Sequence, residues 1–73
     1  MSKLPQVSGA EIVRALQKLG FTIRRQHGSH IIMRRDDPFA QTVVPNHRQV
    51  DRGTLRAILR QSGITVDELV VVL

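Results

Sequence analysis

The sequence predicts an α+β fold of order α-β-β-β-α, with two helices covering one face of a three-stranded antiparallel sheet. Three observations carry that expectation. Two segments, near residues 9–19 and 52–62, repeat apolar side chains at helical spacing between recognisable caps. Between them lie three short extended runs joined by turn-length connections, which favours a meander. The chain has 73 residues, enough for one core and no more, so it is read as a single domain over 1–73. Residues 1–7 then form an N-terminal tail and 64–73 a C-terminal appendage.

The first helix opens with Ser8-Gly9-Ala10-Glu11, a capping-box pattern in which hydroxyl and carboxylate close the first free backbone N–H groups. Ile12, Val13, Leu16 and Leu19 form its apolar stripe, and Gly20 stands where a left-handed residue ends a helix. A first strand follows over Phe21 to Gln26, with Phe21 and Ile23 on one side and Thr22 and Arg24 on the other. His27-Gly28 has turn character, and Ser29 to Arg34 returns as a second strand. If Ile31 and Met33 face the helices, then His30, Ile32 and Arg34 face outward. Arg35-Asp36-Asp37-Pro38 reads as a turn, and Gln41 to Pro45 as a short third strand.

Asp51 is placed to cap the second helix, whose buried stripe is Leu55, Ile58 and Leu59 up to Gly63. Arg52, Arg56 and Arg60 fall four apart and make a cationic ridge on the opposite face. Thr65-Val66-Asp67-Glu68 repeats the capping-box pattern and favours a third helix, whereas the β-branched run Val70-Val71-Val72 suits a strand. Both readings of that segment are open from sequence alone.

Composition narrows the function. The 11 Lys and Arg residues, mostly arginine, outnumber 6 acids, for a formal charge of +5. Such an excess suits a polyanionic partner or a merely solvated basic surface. There is no cysteine, which excludes disulfides and Cys-based zinc sites. Two phenylalanines are the only aromatic residues of the Phe, Trp and Tyr class, too few for a base-stacking platform. No run approaches the roughly 20 apolar residues that span a bilayer, and Met1 to Val7 lacks a secretion-signal core, so a cytoplasmic protein is expected.

The six acids each have a structural task as caps or turn residues, and no pair is spaced for a two-metal or glycosidase site. Neither a metal nor a cofactor is expected. RNA cleavage needs none: the ribose 2′-hydroxyl attacks its own phosphate once a base removes its proton and cations stabilise the developing charge. His30, on an outward strand position among arginines, suits that base or the acid that protonates the leaving oxygen. A structural histidine is the plainer reading. His27 reads as a turn residue. His47, just before the second helix, either faces an anion at that helix N-terminus or is a solvated loop residue. Ser29 is more suited to orienting the turn or donating to phosphate than to attacking it, since no second base is placed to activate it.

Gly28-Ser29-His30, then Val44-Pro45-Asn46-His47, then Gly53-Thr54-Leu55-Arg56 running on to Ser62-Gly63, resemble the HicA (YcfA-like) toxins of bacterial toxin–antitoxin pairs. The resemblance spans about Gly9 to Leu69, in order and at matching spacing. It implies a fold similar to double-stranded-RNA-binding domains and a ribosome-independent mRNA interferase. The implied catalytic residue is His30, and the implied partners are mRNA and a HicB-like antitoxin that covers the active surface. His47 matches a recurrent position without a catalytic role carried onto it. Arg52 departs from the family, where many relatives have proline at the start of the helix. Arg24 and Arg34, with Ser29, His47, Arg52 and Arg56, are the expected RNA-binding residues. A non-catalytic RNA-binding module, or an interaction protein that docks through the arginine ridge and an apolar tail over Leu69 to Leu73, would use the same features.

Overall fold

A computed structural model of the chain describes residues 3–73. The helix α1 spans Gly9–Lys18, the strands β1, β2 and β3 span Thr22–His27, His30–Asp36 and Phe39–Pro45, and the helices α2 and α3 span Arg52–Ser62 and Val66–Val72. The strands form one antiparallel sheet in the order β1-β2-β3. The α+β arrangement expected from the sequence is observed, with a third helix after it.

Local chemistry explains the helix limits. Ser8 and Glu11 form a reciprocal capping box, each side chain accepting the other's backbone N–H at 3.1 and 2.9 Å. At the far end Gly20 takes φ +95°, and the N–H groups of Gly20 and Phe21 return to the carbonyls of Gln17 and Leu16. Asp51 caps α2 through the Thr54 N–H at 2.8 Å, and left-handed Gly63 ends it with the same paired bonding. The open question of residues 66–72 resolves as helix. Thr65 and Glu68 cap it reciprocally, Leu69 is fully buried, and Lys18 donates to the Val72 carbonyl at 3.0 Å. Burying one leucine side chain contributes about 1.5–3 kcal/mol, which adds to the capping box in favouring helix here.

Ile31 and Met33 of β2, and Thr42 and Val44 of β3, face the helices and meet Ile12, Leu16, Leu55, Ile58 and Leu59 in the core. The inferred parity of β2 therefore holds. The buried Thr42 hydroxyl is satisfied by Gln61 at 2.8 Å. Residues of the expected tail and appendage add to this core: Val7 is buried with its carbonyl bonded to the Val50 N–H, and Ile64 and the α3 residue Leu69 are buried.

Three local expectations shift. The tight turn is Gly28-Ser29, not His27-Gly28, because His27 and His30 pair as the last rung of the hairpin. Gly28 supplies the positive φ (+57°) that this turn requires, and Gln26 braces it through the Gly28 carbonyl. The ladder of β2 and β3 extends to Asp36 and Phe39, so Asp37-Pro38 alone makes the second turn and β3 begins two residues before Gln41. The simple alternation of β1 breaks at a bulge: Ile23 pairs Met33 while Arg25 pairs Ile32, leaving Arg24 as the extra residue. Beyond Phe21 the strand overhangs the helical layer, and Ile23 is 47 % exposed.

Candidate functional site

The sheet face away from the helices carries His30, Ile32 and Arg34 from β2 beside Pro45, Val43 and Gln41 from β3, each pair directly across from one another. At one end of this face lies a cleft of about 460 Å³. His30, Val43 and Pro45 line it from the sheet, and His47, Asp51 and Thr54 line it from the following loop and the start of α2. Its volume is in the range of small-ligand sites. His30 and His47 are both exposed and share it, so the structure joins two residues that the sequence left in separate segments.

Backbone bonds build that juxtaposition. The Asn46 N–H donates to the Ser29 carbonyl at 2.6 Å, which ties the residue before His47 to the residue before His30. The His47 N–H donates to the Pro45 carbonyl at 2.9 Å, and its own carbonyl accepts from Gly9 at 2.8 Å. Gly9 lies against Pro45 and Asn46 so closely that a Cβ there would overlap the Pro45 carbonyl. Only a residue without a side chain lets α1 approach this loop.

Asp51 sets the electrostatics where the start of α2 meets the cleft. Hydrogen bonds from the Thr54 side chain, and then from its backbone, hold the Asp51 carboxyl below its ordinary value. The N-terminus of α2 therefore already holds an anionic carboxylate of its own. That carboxylate occupies the Thr54 N–H, one of the backbone donors at this helix start.

A second depression, about 290 Å³, lies further along the same face and is lined by Arg24, Arg25, Ile32, Arg34 and Gln41. The bulge matters here, because strict alternation would send consecutive residues to opposite faces. It brings Arg24 and Arg25 to one hollow. Ile32, expected to be awkwardly exposed, is half-buried among these side chains. Arg34 makes a close ion pair with Asp36 at 2.9 Å, without the alignment of a hydrogen bond. Arg35 is committed elsewhere: it lies 4.7 Å from the Phe21 ring centroid and donates to the carbonyl of Pro38.

The remaining expected binding residues lie outside both hollows. Ser29 is exposed in the hairpin turn, and Arg52 and Arg56 are on the exposed face of α2. Arg25, Gln41, Asp51 and Thr54 are site residues that sequence reasoning did not single out as such. Among the described residues no group of three or more His, Cys, Asp or Glu side chains is arranged to hold a metal ion. Among those residues, also, no helix is long and apolar enough to cross a membrane.

The family model for the HicA toxin of bacterial toxin–antitoxin systems matches residues 9–64, which include the hairpin, the residues that line the cleft and α2. The chain belongs to the HicA toxin family. No curated protein matches it at a significant level. As a HicA family member the chain is the toxin half of a pair whose other half is an antitoxin.

Proposed function

We propose that this HicA toxin is a metal-independent endoribonuclease, an mRNA interferase in which His30 acts as general acid or base. The supporting observation is the open sheet face, where an exposed imidazole lines a nucleotide-sized cleft and an arginine-lined hollow lies along the same strands. RNA laid across that face would put its scissile phosphate at His30 and a neighbouring phosphate among Arg24, Arg25 and Arg34. Guanidinium groups bind phosphate in bidentate fashion, and the Arg34 Nε faces Asp36 without the alignment of a hydrogen bond, so its half-buried guanidinium keeps bonding capacity for a second oxyanion. Ser29 and His47 flank the cleavage position, while Arg52 and Arg56 attract the polyanion from the adjoining helix.

The chemistry selects RNA over DNA because the attacking group is the 2′-hydroxyl. A HicB-type antitoxin that covers this face would block substrate and hide the imidazole in one step. The substrate places the activity in the cytoplasm. Incubation of the purified chain with end-labelled RNA in excess chelator tests the proposal. Fragments ending in a 2′,3′-cyclic phosphate are expected from the wild-type chain, and none from His30→Ala with an unchanged circular-dichroism spectrum. Salt-sensitive binding without any fragments would instead establish an RNA-binding module and remove the nuclease reading.

A further inference from the structure

We propose that His47 is the second proton-transfer group of the cleavage reaction, acting with His30 in the cleft that both residues line. The inference rests on the ribonuclease reading above. Cleavage through the 2′-hydroxyl moves two protons. O2′ gives one up as its bond to phosphorus forms, and O5′ of the departing nucleotide takes one as the P–O5′ bond breaks. The products are a 2′,3′-cyclic phosphate and a 5′-hydroxyl. One imidazole begins neutral and the other protonated, they finish exchanged, and solvent resets them, so nothing else is consumed.

Three residues lining the cleft carry titratable side chains: His30, His47 and Asp51. Asp51 spends its carboxylate on the Thr54 N–H and stays anionic, which leaves it without a proton to give near neutral pH. An imidazole is the side chain suited to both giving and taking a proton there, and the cleft holds two. Their backbones are positioned for the task. Pro45 is the cross-strand partner of His30, and His47 follows two residues later, so strand spacings place the two Cα atoms within about 12 Å. The bonds from Asn46 to Ser29 and from Gly9 to His47 hold that spacing before substrate arrives. The groups that bear on their protonation are Asp51 at the start of α2, His27 across the hairpin from His30, and Arg48 beside His47 in the loop.

The test is a pH–rate profile of cleavage for wild type, His30→Ala, His47→Ala and His47→Gln. Both His47 variants are expected to lose kcat by about 100-fold or more with KM little changed, and to lose one limb of a bell-shaped profile. A substrate with sulfur in place of the bridging O5′ adds the decisive arm, because a thiolate departs without needing a proton. It should restore the rate of whichever alanine variant lacks the acid and leave the other slow. Full activity of His47→Ala beside an inactive His30→Ala overturns the inference alone. So does a slow His47→Ala that keeps both limbs while neither alanine variant is restored, which makes His47 a positioning residue only. Wild-type chain that cuts no RNA overturns the ribonuclease reading and this inference with it.

Discussion

The backbone N–H of Gly9 donates to the carbonyl of His47 at 2.8 Å, so the first turn of α1 holds in place the loop that carries the second imidazole. The contact is possible because Gly9 has no Cβ to meet the Pro45 carbonyl. Gly9→Ala is therefore expected to push the 45–47 segment away, with a loss of about 1–3 kcal/mol from overpacking. Gly53→Ala is the matched control. That glycine lies in α2 with open space where a Cβ would stand and no positive φ, and alanine should add about 0.4–1 kcal/mol there. Denaturant melts check both signs, and RNA cleavage should fall in the first variant only.

The third helix predicts a contrast between two neighbours. Leu69 is fully buried and Val71 is 81 % exposed. Leu69→Ala should cost about 2–5 kcal/mol, whereas Val71→Ala should stay within about 0.5 kcal/mol. Equal small effects in thermal unfolding would mean that α3 is not an integral part of the core.

Acid should loosen all three helices together. Hydrogen bonds hold the carboxyls of Glu11, Asp51 and Glu68 below their ordinary values of 4.5, 3.8 and 4.5: for Glu11 and Glu68 those from the backbone of Ser8 and Thr65 lead, and for Asp51 that from the Thr54 side chain. A carboxyl lowered in the folded state contributes stability that is complete above its unfolded value and disappears as pH falls through its folded value. The melting temperature should thus be level with respect to these caps above about pH 5 and decline below it. Glu11→Gln and Glu68→Gln, which remove the titrating carboxyls, should each flatten that decline, as pH-dependent melting curves would reveal.

The arginine hollow predicts a salt signature. Each phosphate contact on single-stranded RNA steepens the dependence of log affinity on log salt by roughly 0.7. Arg24→Ala and Arg25→Ala should each reduce the slope by about that amount if both guanidinium groups engage the backbone. Arg60→Ala, on the exposed face of α2 and outside the hollow, serves as reference. Fluorescence anisotropy across a salt series measures the three slopes.

Much of this molecule is readable from local sequence because its signals are local. Ser8 with Glu11, Asp51 with Thr54, and glycines at 20 and 63 define their helices through bonds between residues at most five apart. The parity of β2 followed from Ile31 and Met33 alternating with His30 and Arg34. What stayed out of reach depends on distant partners. Val70-Val71-Val72 is ambiguous until Leu69 meets the core and Lys18 reaches the Val72 carbonyl. The bulge at Arg24 is a matter of register against β2, which no property of residues 22–27 specifies. His47 shares the cleft with His30 through bonds to distant partners, Asn46 to Ser29 and Gly9 to His47.

The irregularity at Arg24 has one more effect, on how this protein meets others of its kind. A three-stranded sheet that never closes keeps an edge at β1 and another at β3, and a straight edge, as β1 would otherwise be, invites neighbouring chains to zip alongside. Here the β1 edge is interrupted and armed with two adjacent positive charges, so a second copy approaching it meets both a broken ladder and repulsion. The bulge that brings these two cations together thereby also discourages copies from pairing along β1.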